Sequence, residues 1–117
     1  MPQRIPGCRM SAPLAVAVDE HGSSATVTVT GELDLATSPT LAAELSACRD
    51  AAVDEITLDL SGIEFIDCSG LHCVLEAHRR GRLTVVPGTG PVRHLLALTG
   101  IDQRLVLAGH PLASRAA

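Results

Sequence analysis

Alternating apolar and polar residues in the first third of the chain predict a β-hairpin. Residues 25–30 alternate between apolar side chains and threonines, which is the period of two that a half-buried strand shows. A nearly continuous apolar run over residues 14–19 comes before them, and the His-Gly-Ser sequence at 21–23 is typical of a turn. We therefore expect two paired strands joined by this turn, with the chain leaving the second strand at Gly31.

The pattern changes to helical spacing after residue 37. Ser38 followed by Pro39 predicts a helix start, with Ser38 as the N-cap and the proline at the first helical position, where an N–H would have no partner anyway. Apolar residues then recur every three or four positions, as on the buried side of a helix. This buried stripe is expected to consist of Leu41, Leu45 and Cys48, with Ala42 and Ala52 beside it.

Strands and helices alternate over the rest of the chain. Strands are predicted at residues 56–60, 83–86 and 105–108, and helices at residues 69–80 and 91–99, each helix ended by a glycine. Ser61 and Gly62 are expected to break the first of these strands before a short apolar run. The order β-β-α-β-α-β-α-β predicts an α/β fold, with helices packed on a mixed sheet of about four to five strands.

The length of 117 residues predicts one domain, and 46% hydrophobic residues are enough to build a buried core. The periodic segments fill residues 14–109, which we assign to this domain. Residues 1–13 contain three prolines and one glycine without any periodicity, so we expect a flexible arm there. Residues 110–117 are expected to form a short C-terminal tail.

The charge of the chain argues against nucleic-acid binding. It has 13 acidic residues, nine basic residues that are all arginine, and a net charge of −4, whereas phosphate contacts need clustered positive charge. No apolar run approaches the ~18 residues of a membrane span, and residues 1–13 lack the apolar core of a secretory signal. We therefore expect a cytoplasmic protein without direct membrane insertion, whose cysteines are free thiols.

The most informative stretch is Leu58–Leu71, with the sequence LDLSGIEFIDCSGL. It resembles the signature of the STAS domain family, and of the bacterial anti-sigma factor antagonists in particular. That signature is a strand ending in D-L-S, a loop that contains an aromatic residue, and D-S-S-G-L at a helix start. Thr30–Asp34, with the sequence TGELD, matches a second element of the family. The resemblance covers residues 14–109 and implies a single STAS domain.

The resemblance also implies a partner-binding protein that phosphorylation switches. In such antagonists, an anti-sigma factor with a histidine-kinase-like ATP-binding domain phosphorylates the first serine or threonine of the D-S-S-G element. The unphosphorylated antagonist binds this partner and displaces the sigma factor. A phosphate adds about −1.5 to −2 charges at the helix start, which is enough to weaken docking. Carried over residue by residue, the docking surface consists of Asp34, Asp67, Cys68, Ser69, Gly70 and His72.

Cys68 departs from the family pattern, because it stands where the phosphorylated serine is expected. A thiol is not a substrate for a Ser/Thr kinase. Either the protein is always in its binding form, or Ser69 takes the phosphate from one position along the helix. The first alternative is favoured, because a shift of one residue turns the hydroxyl by about 100° around the helix axis.

Other interpretations of these residues have less support. Asp67 at the helix start is also explained as an N-cap alone. Cys68 with His72 as a base would still lack an oxyanion hole and a substrate pocket, so we expect no enzyme activity. Cys73 points about 100° away from His72 on the helix, which argues against a metal site. The loop Gly88–Gly90 lacks the lysine and the third glycine of a phosphate-binding loop, and no cofactor is expected.

A second function from another class stays open, namely the soluble STAS subunit of an ABC-type lipid transport complex. This subunit would dock on the cytoplasmic side of the ATPase. Cys68 at the phosphoacceptor position fits this hypothesis somewhat better than it fits a phosphorylated antagonist. The transporter hypothesis predicts no kinase partner. Under either hypothesis the chain is compatible with a monomer or a homodimer.

Overall fold

The structure, a computed structural model, describes residues 13–108 as five strands and three α-helices. The strands are β1 (Ala15–His21), β2 (Ser24–Leu33), β3 (Glu55–Ile66), β4 (Arg82–Val86) and β5 (Val106–Leu107). The helices are α1 (Ser38–Asp50), α2 (Cys68–Arg80) and α3 (Pro91–Thr99), and a 3-10 helix at Ile101–Arg104 precedes β5. This order confirms the α/β fold that the sequence predicts. The expected arm and tail lie outside the described residues, apart from Pro13.

The five strands form one mixed sheet in the order β1-β2-β3-β4-β5. β1 pairs with β2 in the antiparallel direction, as the hairpin pattern predicts, and all the other pairs are parallel. The carboxyl ends of β2, β3 and β4 therefore meet at one edge of the sheet, where open α/β sheets bind their ligands. The β2–α1 loop and the β3–α2 loop both lie at this edge.

One face of the sheet is apolar, and the opposite face carries threonines. The apolar face consists of residues that align across β2, β3 and β4 and are all buried: Ala25, Val27, Ile56, Leu58, Leu83 and Val85. Helix residues join the same buried cluster: Leu41 and Leu45 of α1, Leu71 and Val74 of α2, and Val92 and Leu96 of α3. Thr26, Thr57 and Thr84 align on the opposite face and are only half-buried. The alternation along each strand thus sets which face the helices cover.

Three strand ends differ from the sequence-based expectation. β2 continues through Gly31 to Leu33, and β3 runs unbroken across Gly62 to its end before Asp67. The register between β2 and β3 shifts twice along this stretch, as in β-bulges. Gly31 accommodates its shift with a φ of 98°, which a residue with a side chain rarely adopts. The prediction that these glycines end the strands was therefore wrong, and β5 is also shorter than predicted, with only two residues.

The helices differ from the prediction mainly at their ends. Thr37, and not Ser38, is the N-cap of α1, so that Ser38 and Pro39 lie within its first turn. α2 begins at Cys68, one residue earlier than predicted. The apolar stripe of α1 is buried as predicted, but Ala42 is exposed. No helix within residues 13–108 is long and apolar enough to cross a membrane.

Candidate functional site

Asp67 is the N-cap of helix α2. Its backbone is extended, with φ −116° and ψ −172°, and its Oδ1 accepts a hydrogen bond from the backbone N–H of Gly70 at 3.0 Å. This bond satisfies one of the N–H groups that have no partner within the helix. The predicted N-cap role of Asp67 is therefore confirmed. The cap fixes where the helix starts, and so it places Cys68 and Ser69 in the first turn.

Gly70 allows the start of α2 to pack directly on the end of β2. A Cβ atom at this position would lie 2.7 Å from the carbonyl oxygen of Leu33, 2.8 Å from Leu33 Cγ and 3.0 Å from Ile66 Cγ1. Close by, the backbone N–H of Asp67 donates to the same Leu33 carbonyl at 3.3 Å. Only glycine therefore fits at this position of the D-C-S-G sequence without a steric clash. Its close packing holds this sequence, residues 67–70, against the end of the TGELD sequence, residues 30–34.

The β2–α1 loop, residues 34–37, is closed by hydrogen bonds between Asp34 and Thr37. Asp34 Oδ1 accepts from the backbone N–H groups of Ala36, at 3.0 Å, and Thr37, at 3.1 Å. Thr37 Oγ1 accepts from the backbone N–H of Asp34 at 2.9 Å and donates to the carbonyl oxygen of Glu32 at 2.8 Å. The carboxylate that the resemblance assigns to partner binding thus also organises the loop.

A groove of about 870 Å³ lies between α1 and α2. Ser69, His72 and Cys73 line it from α2, and small residues of α1 such as Ala42 and Ala43 line the other side. Cys68 is exposed and is absent from this lining, whereas Ser69 is half-buried. The two consecutive residues of the first turn therefore have different surroundings, as the helical rotation of about 100° per residue requires.

The structure brings the residues predicted as the docking surface to one edge of the sheet, but Gly70 is buried there against Leu33 and offers almost no surface to a partner. Residues 67–72 form the first turns of α2, and Asp34 follows Leu33, on which that helix start packs. Sequence reasoning missed two apolar side chains at the same edge, Leu35 and Phe65, which are 74% and 41% exposed. A leucine directly after the TGELD sequence, in a loop rather than in a periodic segment, was the available signal for Leu35.

The family model described as "Mlab, STAS domain" matches residues 16–108. The chain belongs to the STAS domain family. No curated protein matches the sequence.

Solved structures show the same fold for this STAS domain. An anti-sigma factor antagonist from Mycobacterium paratuberculosis is 27% identical, with 92% of this chain and 97% of that chain covered and a TM-score of 0.80. The cell fate determinant SpoIIAA of Bacillus, in its phosphorylated form, is 21% identical over 87% of this chain and 98% of that chain, with a TM-score of 0.65. A putative anti-sigma factor antagonist from Thermotoga maritima is 16% identical over 86% of this chain and 92% of that chain, with a TM-score of 0.71. The last two similarities concern the fold alone.

The cysteines of this STAS domain fall into two groups. Among the described residues, Cys48, Cys68 and Cys73 are free thiols, and of these only Cys68 is exposed. Burial raises the pKa of the Cys73 thiol above its ordinary value of 9.0, and the sulfur lies 3.7 Å from the Ser38 carbonyl oxygen on α1. Burial also raises the pKa of Cys48, with smaller contributions from the charges of Glu20 and Glu44. Within residues 13–108, no group of three His, Cys, Asp or Glu residues is placed to hold a metal ion.

These thiols predict a loss of stability in alkali. Cys48 and Cys73 hold their protons more tightly when folded, so the unfolded chain loses protons first as the pH rises above 9.0. The free energy of unfolding is therefore expected to be independent of these groups below about pH 8 and to fall above pH 9. Urea titrations from pH 7 to pH 10.5 measure this slope. Cys73→Ala should make the slope shallower, because only Cys48 of the two thiols then contributes. An unchanged slope would contradict the role of Cys73.

Proposed function

We propose that this protein is an anti-sigma factor antagonist that acts by binding and not by catalysis. In the cytoplasm it would bind an anti-sigma factor of the serine-kinase type and so release a sigma factor. One observation carries the proposal: the D-C-S-G and TGELD sequences meet at Leu33, in a fold that matches the Mycobacterium paratuberculosis antagonist over 92% of the chain at 27% identity. Such a similarity supports the general role.

The proposed antagonist lacks the usual phosphorylation switch. Cys68 occupies the exposed first position of α2, where the resemblance places the phosphoacceptor hydroxyl. Ser69 is the neighbouring hydroxyl, but it is half-buried and lines the groove toward α1. A kinase that presents ATP to the exposed position would meet a thiol there. The protein would therefore stay in the form that binds its partner.

A second candidate is the soluble STAS subunit of an ABC-type lipid transport complex. Cys68 favours it, because a subunit that only docks on an ATPase needs no phosphoacceptor hydroxyl. The two candidates differ in the partner that they require. The antagonist binds an anti-sigma factor with a histidine-kinase-like ATP-binding domain, and the transport subunit binds an ABC ATPase recovered with membrane proteins.

Affinity capture from a lysate of the source organism, followed by mass spectrometry, separates these candidates. We expect an anti-sigma factor with an ATP-binding domain in the eluate. Two matched variants make the capture specific, because His72 and His94 are both exposed, but only His72 lies at the proposed docking surface. His72→Glu should lose most of the partner, and His94→Glu, on α3, should retain it. Recovery of an ABC ATPase instead would replace the antagonist with the transport subunit.

A further inference from the structure

The outer side of β1 is an open edge of the sheet. β1 pairs with β2 over all of its seven residues, Ala15–His21, without a register shift. Within residues 13–108 no strand pairs with its other side, so every second residue of β1 directs its backbone N–H and C=O groups outward. Such a row of groups is a template for a further strand. β5, at the opposite edge, has only two residues and offers a much shorter template.

β1 lacks the features by which many edge strands avoid pairing. Edges are commonly protected by proline, by lysine, by a bulge or by a very short strand. β1 contains neither proline nor lysine, and its register with β2 is regular. Its first four residues, Ala15–Val18, are all apolar, and the acidic residues Asp19 and Glu20 lie in its second half. The first half of β1 is therefore an unprotected edge.

Two valines of β1 lie at the rim of the apolar core. Val16 and Val18 pair with Val29 and Val27, which are buried on the apolar face of the sheet. Val16 packs against the buried cluster, but Val18 is 37% exposed. A strand added outside β1 would extend this core if it carried apolar residues on the same face. β1 of a second copy of the chain carries them with the required alternation.

We propose that β1 pairs with β1 of a second copy of this chain, in the antiparallel direction and about a two-fold axis at Ala17. Antiparallel pairing of identical strands is self-complementary, because each copy donates and accepts the same hydrogen bonds. Two-fold pairing closes after two copies and joins the two five-stranded sheets. Pairing of β1 with β5 of another copy would be limited to two residues and would leave an open edge at each end.

The charges of β1 select this register. The apolar faces of the two copies coincide when the axis stands perpendicular to the sheet, so that one residue of β1 lies opposite itself. With Ala17 opposite itself, Val18 of each copy lies opposite Val16 of the other, and Asp19 lies opposite Ala15. No acidic residue then faces another. An axis at Asp19 would place two carboxylates directly opposite each other, which destabilises a strand pair, and an axis at Val18 would place them diagonally.

The proposed dimer leaves the first turns of α2 uncovered. The axis lies at β1, whereas α2 follows β3, two strands away in the sheet. Because the two copies run antiparallel, the carboxyl ends of their β2 and β3 strands lie at opposite edges of the joined sheet. Each copy therefore keeps its own docking surface. The dimer needs no anti-sigma factor, so this inference does not rest on the proposed function.

Two substitutions at Ala17 test the dimer in the full chain. Sedimentation equilibrium of the wild type should give twice the mass of one chain. Ala17→Asp and Ala17→Lys would each place two like charges opposite each other at the axis, so each should give the mass of a monomer. Ala17 and its partner Thr28 on β2 are both exposed, so we expect the fold to be kept, which circular dichroism checks. Thr28→Asp puts a charge on the same face, one strand from the edge, and should remain dimeric.

An equimolar mixture of the two Ala17 variants completes the test. The carboxylate of one copy would face the ammonium group of the other, and the dimer mass should return. Unfolding of the variants could not be reversed in this way. A monomeric wild type would overturn the proposal, and so would a mixture that stays monomeric. An Ala17→Lys variant that remains dimeric would contradict the axis at Ala17.

Discussion

Gly70→Ala is expected to lower the free energy of unfolding by about 2 kcal/mol, as overpacking of a close contact does. The new Cβ would lie 2.7 Å from the Leu33 carbonyl oxygen, a backbone atom that cannot turn away as a side-chain tip can. This loss would occur although alanine favours a helix over glycine by about 1 kcal/mol. The start of α2 would have to move away from β2, and partner binding should weaken together with stability.

Gly90→Ala is the control for this prediction. Gly90 has no atom within 4 Å of an added Cβ, and its φ of −100° suits any residue. As the N-cap of α3 it should lose at most about 1 kcal/mol on substitution. Both variants are measured by urea unfolding, monitored by circular dichroism. A Gly70→Ala variant as stable as the wild type would show that α2 does not depend on this close approach to Leu33.

We expect the proposed kinase partner to phosphorylate the Cys68→Ser variant stoichiometrically and to leave the wild type unmodified. The substitution places a hydroxyl at the exposed first position of α2, where free N–H groups and the helix dipole favour a phosphate. The phosphate would add about −1.5 to −2 charges beside the acidic cap Asp67. Once phosphorylated, the variant should lose its affinity for the partner. Intact-protein mass spectrometry after incubation with the purified partner and Mg-ATP measures the change.

Removal of the Ser69 hydroxyl separates the two hypotheses about the switch. The double variant Cys68→Ser/Ser69→Ala should still accept the phosphate, because the new hydroxyl at position 68 is the acceptor. The wild type and Ser69→Ala should both remain unmodified. If the partner phosphorylates the wild type but not Ser69→Ala, the hypothesis that the switch is lost is wrong. Ser69 is then the phosphoacceptor.

Most of the fold could be predicted because the buried residues recur along the sequence with the periods of strands and helices. The alternation at residues 25–30 identified β2, and the stripe of Leu41, Leu45 and Cys48 identified the buried side of α1. The errors in β2 and β3 fell at glycines. Gly31 and Gly62 were predicted to end their strands, but they lie in bulges between paired strands. A bulge depends on the neighbouring strand, and one-dimensional sequence does not show that neighbour.

The candidate site was predictable where it depends on a motif and hidden where it depends on loop geometry. The D-C-S-G sequence placed residues 67–70 at a helix start, and the cap at Asp67 needs only local contacts. The N-cap of α1 was wrongly assigned to Ser38, because a serine before a proline is a common helix start. The bonds between Asp34 and Thr37 move the cap back by one residue and leave Leu35 exposed. Such a network cannot be read from residue types alone.

The proposed function requires that this protein releases a sigma factor from its anti-sigma factor and that ATP does not reverse the release. The most direct measurement starts from a purified complex of the anti-sigma factor with a fluorescently labelled sigma factor. The wild-type protein is added with Mg-ATP, and fluorescence anisotropy is followed over time. We predict that the sigma factor is released and stays released, whereas Cys68→Ser releases it only until the variant is phosphorylated. Absence of release by the wild type, or a release that decays in ATP, would contradict the claim.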